Sequence, residues 1–280
     1  MVGRVKGKVA VITGGASGIG AATAAKLVAE GAYVILGDIQ QKTGDAMAAS
    51  LGPAAFFQLC DVTRESDVEA LVQAAITRHG KLDIMFNNAG IVGAIGPMET
   101  TPAEEWKLTL DILLNGVFYG MKHAARVMKQ AGSGSIISMS SVAGVTGGLA
   151  PHAYTAAKHA VVGLTRNLAA ELGPYGVRAN CVAPYSVATP MVAHAYLGDH
   201  TDIDTTLKML TEQSPLKGRP GLADDVANAV LWLASDDSGY TSGLTLTVDA
   251  GITTGSVAGA PRFAEHKPMQ REAGKEGLQA

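Results

Sequence analysis

Short apolar runs alternate with helix-like stretches along almost the whole chain. That alternation limits the possible folds more than any other property of the sequence. Lys8 to Ile12 reads as a strand, and the Ala-rich stretch Gly18 to Glu30, closed by Gly31, as a helix. Tyr33 to Leu36, Ala54 to Leu59 and Ile84 to Phe86 follow as strands, separated by helical patterns at Gln41 to Leu51 and Arg64 to His79. Glu104 to Gln130 predicts a long helix interrupted near Gly116. Ser135 to Met139 is a strand, Tyr154 to Leu172 a helix stopped by Gly173-Pro174, and Arg178 to Val182 a strand. Ala223 to Ser235 and Leu244 to Val248 supply a last helix and strand. A βαβα rhythm buries its strands only by covering both faces of a parallel sheet. The expected fold is therefore α/β: one doubly wound Rossmann-type domain with about seven parallel strands.

No linker divides the chain. Residues 1–257 are expected to form one domain, which includes a strand-free stretch at about 190–220 of the kind that often serves as a lid. Beyond it, residues 258–280 are charged and poor in large apolar side chains, and read as a tail. The 280 residues are 47% hydrophobic, enough for a large core. With 25 acidic and 22 basic side chains the net charge is -3, which excludes a globally basic nucleic-acid binder. Two cysteines, Cys60 and Cys181, exclude a disulfide framework and a four-cysteine zinc module, and no metal is expected. The apolar run Val9 to Ile12 is too short for a signal peptide or a membrane span. The expectation is a soluble cytoplasmic protein with no membrane partner.

Thr13-Gly14-Gly15-Ala16-Ser17-Gly18-Ile19-Gly20 stands between the first strand and the first helix. Glycines there let the backbone approach a pyrophosphate, while the helix N-terminus offers unpaired N–H groups and partial positive charge. Asp38 closes the second strand, with Ile39 beside it. An acid about 20 residues past such a loop can accept hydrogen bonds from ribose hydroxyls, and it repels a 2′-phosphate. No Arg or Lys stands in the loop or at residues 37–41, so NAD is expected over NADP.

Together with the residues that follow, this loop resembles the short-chain dehydrogenase/reductase family in its compact single-domain branch. The resemblance spans about residues 6–251. The loop matches the TGxxxGxG pattern, and Asn87-Asn88-Ala89-Gly90 the NNAG motif that steadies the sheet and lines the cofactor. Asp61 and Val62 sit where the family places an Asp and an apolar residue against the adenine. Asn180 to Pro190 is similar to the family's NxVxPGxxxT segment, with Pro184, Val187 and Thr189 beside the nicotinamide. Tyr185 stands in place of the usual Gly, as in a subgroup that includes plant secoisolariciresinol and xanthoxin dehydrogenases. Ser141, Tyr154 and Lys158 match the catalytic Ser and the YxxxK pair. The resemblance assigns Lys158 a hold on the nicotinamide ribose, Asn115 a proton-relaying water, and the whole chain a homotetramer.

The residue types carry the chemistry by themselves. Tyr154 and Lys158 are one helical turn apart and share a face. A free phenol, with pKa near 10, is a poor base at neutral pH, and a neighbouring ammonium lowers that value. Tyr154 can then take an alcohol proton while carbon passes hydride to the nicotinamide. The Ser141 hydroxyl can hold the substrate oxygen. The expected pocket walls (Val142 to His152, Ile91 to Gly96, and the lid near Met191 to Leu210) are rich in Val, Ala, Gly, Leu and Met; the first two hold no Arg or Lys. Val142, Gly148, His152, Tyr185 and Met191 are the expected substrate contacts. An apolar cyclic, terpenoid or steroid-like secondary alcohol fits such walls. A zinc alcohol dehydrogenase lacks its ligands here, and a serine hydrolase lacks its GxSxG elbow. An NADPH-type carbonyl or 3-oxoacyl reductase and a catalytically idle NAD-binding scaffold are the alternatives left open.

Overall fold

The computed structural model describes residues 3–255. Seven parallel strands form one sheet: β1 (Val9–Thr13), β2 (Tyr33–Asp38), β3 (Ala55–Leu59), β4 (Ile84–Asn87), β5 (Gly134–Met139), β6 (Val177–Pro184) and β9 (Thr245–Val248). Their spatial order is β3-β2-β1-β4-β5-β6-β9. A further pair of two-residue strands, β7 (Val187–Ala188) and β8 (Gly221–Leu222), stands apart. The expected doubly wound sheet is present. The tail expected at 258–280 lies outside the described residues.

The period-two pattern of the strands sorts side chains between two cores. Val9 and Val11 of β1 point to one face, joined by Ile35, Met85 and Ile136. There they meet α3 (Glu65–His79), α5 (Gly116–Ala131) and α6 (His152–Leu172). Ala10 and Ile12 point to the other face with Val34, Leu36, Ile84, Phe86 and Ile137, against α1 (Gly18–Ala29) and α9 (Ala223–Ala234). Both faces are covered, so the strands read as continuous apolar runs. Burying residues such as Ile12, Leu27, Phe86 and Ile136 stabilises the fold by roughly 1.5–3 kcal/mol each.

The chain leaves β1 towards β2 and β3, then returns to place β4 on the other side of β1. The reversal opens a crevice at the carboxyl ends of β1 and β4, where open α/β sheets bind ligands. α2 (Gln41–Leu51) covers β2 and β3. The interruption expected near Gly116 is a π turn over Asp111–Asn115, between α4 (Ala103–Leu110) and α5. The strand-free stretch holds α7 (Pro190–Leu197) and α8 (Ile203–Gln213).

Candidate active site

A crevice of about 670 Å³ runs along the carboxyl edge of the sheet. One end is formed by the glycine loop. Gly14 adopts φ +65, and a Cβ there would sit 2.8 Å from the Ala89 Cα, so the position is closed to other residues. Asn88 locks the loop down. Its Nδ2 donates to the carbonyls of Thr13 and Gly14, both at 3.0 Å, and its backbone N–H donates to Thr13 Oγ1 at 3.0 Å. Ser17, Gly18 and Ile19 open α1 on the crevice. Ser17 is the N-cap but makes no side-chain cap bond, so the first N–H groups of α1 have no capping side chain. That arrangement suits an anion.

Asp38 is buried at the end of β2. Its carboxylate accepts the Ala16 N–H at 3.1 Å and the Gln40 N–H at 3.1 Å, which ties the loop to the strand. Gln40 Nε2 also donates to Oδ1, at 3.4 Å, and Oδ2 keeps lone-pair capacity for a ribose hydroxyl. Ile39, Asp61, Val62, Asn88, Ala89 and Gly90 line the same half of the crevice. Asp61 Oδ1 is held by the Thr63 N–H at 3.0 Å and the Thr63 hydroxyl at 2.8 Å.

The other half is built by β5, α6 and the end of β6. Ser141, Tyr154, Lys158, Pro184, Val187 and Thr189 line it, with Val142, Gly148, Tyr185 and Met191. Ser141 Oγ accepts the Ala143 N–H at 3.1 Å, which leaves its own proton free to donate. Lys158 is 2% exposed, and its Nζ donates to the Met139 carbonyl at 2.8 Å. Burial pulls its amine down to about 8. The sequence expectation has this ammonium lowering the Tyr154 pKa. In the structure burial dominates instead and pushes the Tyr154 phenol up, with the neighbouring Ser141 hydroxyl acting the other way. The i, i+4 spacing does put both side chains on one face, but the end of β5 supplies the amine with a nearer acceptor.

Three expected site residues lie elsewhere. Asn115 does not line the crevice: its Nδ2 donates to Asp111 Oδ1 at 2.7 Å, one turn back on its own segment. The π turn, closed by the Gly116 N–H on the Asp111 carbonyl, inserts a residue and rotates the face. Ile112 and the fully buried Leu113 face the crevice instead. His152 is exposed in the first turn of α6, and Pro151 lines the wall in its place. Gly20 lies beneath the loop, where a Cβ would overlap the Gly14 carbonyl; it allows close packing of α1 and lines nothing. Leu149, Ala195 and Tyr196 are lining residues that no motif announced, although their segments belong to the expected walls.

The family model described as enoyl-(acyl carrier protein) reductase matches residues 14–253. Momilactone A synthase of Oryza sativa subsp. japonica is 50% identical over 253 residues, covering 89% of this chain and 91% of that protein. The chain belongs to the short-chain dehydrogenase/reductase family. (+)-Borneol dehydrogenase 2 of Salvia officinalis is 46% identical, over 90% of this chain and 91% of its own. Xanthoxin dehydrogenase of Arabidopsis thaliana is 45% identical, over 89% and 91%. Among solved structures, levodione reductase superposes with a TM-score of 0.82 at 37% identity, covering 89% of this chain and 98% of that one. As a short-chain dehydrogenase/reductase the chain is an oxidoreductase working with a nicotinamide dinucleotide, NAD or NADP. No described helix is long and apolar enough to cross a membrane.

Proposed function

We propose that this oxidoreductase interconverts a secondary alcohol and a ketone on an apolar, cyclic, terpenoid- or steroid-like substrate, with NAD. The observation that carries the reading is the placement of Tyr154, Ser141 and Lys158 together in a crevice whose outer wall is apolar. Ile91, Ile95, Leu149, Met191 and Tyr196 line it, and Lys158 is the sole cation among the described lining residues. A carboxylate or phosphate on the substrate would want another. The names of two relatives, a borneol dehydrogenase and a momilactone synthase, point the same way. The buried Asp38 carboxylate favours NAD over a 2′-phosphorylated cofactor.

The glycine loop and the uncapped start of α1 would hold the pyrophosphate, Asp38 the adenosine ribose, and Lys158 the nicotinamide ribose. The bound nicotinamide supplies the hydride acceptor. Tyr154 takes the hydroxyl proton, and Ser141 donates to the substrate oxygen as charge develops on it. In reduction Tyr154 returns the proton to the forming alkoxide. Asp61, Asn88 and Gly90 shape the floor beneath the dinucleotide. The protein is read as a cytoplasmic homotetramer by family resemblance, and α5 presents the half-exposed Phe118 on its surface. Light scattering that returns a monomer would refute that assembly.

The deciding experiment screens NAD and NADP against a panel of cyclic secondary alcohols, with wild type beside Tyr154→Phe. The expected result is NAD-linked turnover that falls by about 10²–10⁴-fold in the variant while cofactor binding persists. Cofactor binding with no turnover in either protein would favour a scaffold.

A further inference from the structure

A second cavity, of about 400 Å³, lies beside the crevice. Leu210 of α8, Pro215 and Leu216 after it, and Val248 of β9 form its apolar side, and the paired Arg219 and Asp225 with Asp249 form its polar side. Tyr185, Ser186 and Val187 face both spaces and make the partition between them.

The backbone of that partition is fixed at both ends. The Tyr185 N–H donates to the Val248 carbonyl at 3.1 Å. Val187 pairs with Gly221 across β7 and β8. Gly221 is pressed against the partition, since a Cβ there would sit 2.6 Å from the Ser186 carbonyl oxygen. With the main chain held, the side chains decide whether the two spaces communicate. Tyr185 carries the largest of the three, and none of the described hydrogen bonds engages its hydroxyl.

We propose that Tyr185 is a specificity-determining residue that limits substrate length, by dividing one longer trough into the crevice beside Tyr154 and a separate cavity behind the Tyr185–Val187 partition. The wild-type substrate is thus a compact carbinol that ends at this ring. The second cavity becomes an extension site for the distal apolar part of a longer carbinol once the ring is gone. This rests on the alcohol dehydrogenase reading given above.

The test compares kcat/KM across cyclic secondary alcohols with apolar substituents of increasing length. Tyr185→Phe keeps the ring, and should keep the wild-type preference for compact over long members of the series. Tyr185→Gly should raise the ratio of kcat/KM for long members to that for compact members by roughly tenfold or more. Adding Gln213→Trp, which refills the second cavity from an exposed helix position, should cancel the gain. Uniform loss across the series in Tyr185→Gly, or a gain that Gln213→Trp leaves intact, would overturn the proposal. Binding of the apolar dye Nile red, followed by fluorescence, gives a readout that needs no turnover. Its affinity should rise about tenfold in Tyr185→Gly and fall back in the double variant. Tyr185→Ala serves where the glycine variant folds poorly. A wild type that turns over no alcohol, with the dye pattern as expected, would sink the dehydrogenase reading and leave the partition standing.

Discussion

Lys158 Nζ stands 5.4 Å from the centre of the Tyr154 ring while it donates to the Met139 carbonyl at 2.8 Å. The cation is close enough to act on the phenol, but it is anchored to the end of β5. Burial of the ring dominates, opposed by the Ser141 hydroxyl, and the Tyr154 pKa lies above the ordinary phenol value. The site therefore rests with Tyr154 protonated, ready to act as an acid. The base form grows as pH rises towards that raised pKa. Alcohol oxidation is predicted to speed up from about pH 6 to about pH 10, while ketone reduction holds through neutral pH and falls at the alkaline end. Initial rates in both directions across that range check this. An oxidation rate that is flat with pH would contradict it.

The same burial makes Lys158 a cost to the fold. Its amine, pulled from 10.5 to about 8, is a group whose protonated form the folded state disfavours. Between about pH 8 and 10.5 the unfolded chain binds more protons, so stability from this group rises with pH across that window. Below pH 8 both states are charged and the full penalty applies. Lys158→Met removes the charge but leaves the Met139 carbonyl without its donor. The predicted balance is a protein about 1–2 kcal/mol more stable at pH 7, melting several degrees higher, yet with oxidation largely lost. Thermal melts at neutral pH beside turnover assays would show it. A lower Tm would mean that the Met139 bond outweighs the burial penalty.

The parts of the site legible in the sequence sit where regular elements begin or end. Gly14 to Ile19 lie at a strand–helix junction, Asp38 ends a strand, and Tyr154 and Lys158 keep the spacing of one helical turn. Period and position suffice for those. Asn115 rests on family resemblance alone; the π turn over Asp111–Asn115 adds a residue that a 3.6 repeat cannot reveal, and Ile112 and Leu113 line the crevice beside it. His152 fails for a different reason. It begins α6 on the solvent side of that turn, while Ala153 and Tyr154 turn inwards, so adjacency to Tyr154 in sequence says nothing about direction on a helix. The Met139 carbonyl is backbone, so no side-chain motif could have announced it as the anchor of Lys158.

Gly120 in α5 marks the closest approach of that helix to the sheet. A Cβ there would overlap Asn87 Oδ1, a buried oxygen that has no hydrogen-bond partner in the structure. Asn87 Nδ2 is already held by Ser138 Oγ at 3.1 Å, so the amide cannot swing away without losing that bond. Gly120→Ala is predicted to destabilise the protein by about 1–3 kcal/mol despite its gain in helix propensity. Urea unfolding measures the difference. A neutral or stabilising result would show that α5 shifts freely away from β4.

Leu113 and Asn115 give opposite predictions although they are two residues apart. Asn115 spends its amide on Asp111, so Asn115→Ala removes a local bond within one helical segment. It should cost at most about 1 kcal/mol of stability and leave kcat, KM and the pH profile within about twofold of wild type. Leu113 is fully buried, and a Cβ on Gly90 would sit 3.0 Å from its Cδ2, so it closes the crevice wall behind the NNAG turn. Leu113→Ala opens a void there and should cost about 2–5 kcal/mol, with weaker cofactor binding as Gly90 loses its support. The pair of variants separates two routes for the proton. Loss of turnover with a shifted pH profile in Asn115→Ala, at unchanged Tm, would mean that its amide turns into the crevice during catalysis. Unchanged rates would mean that the relay runs without that side chain, past a wall that is leucine at its inner end.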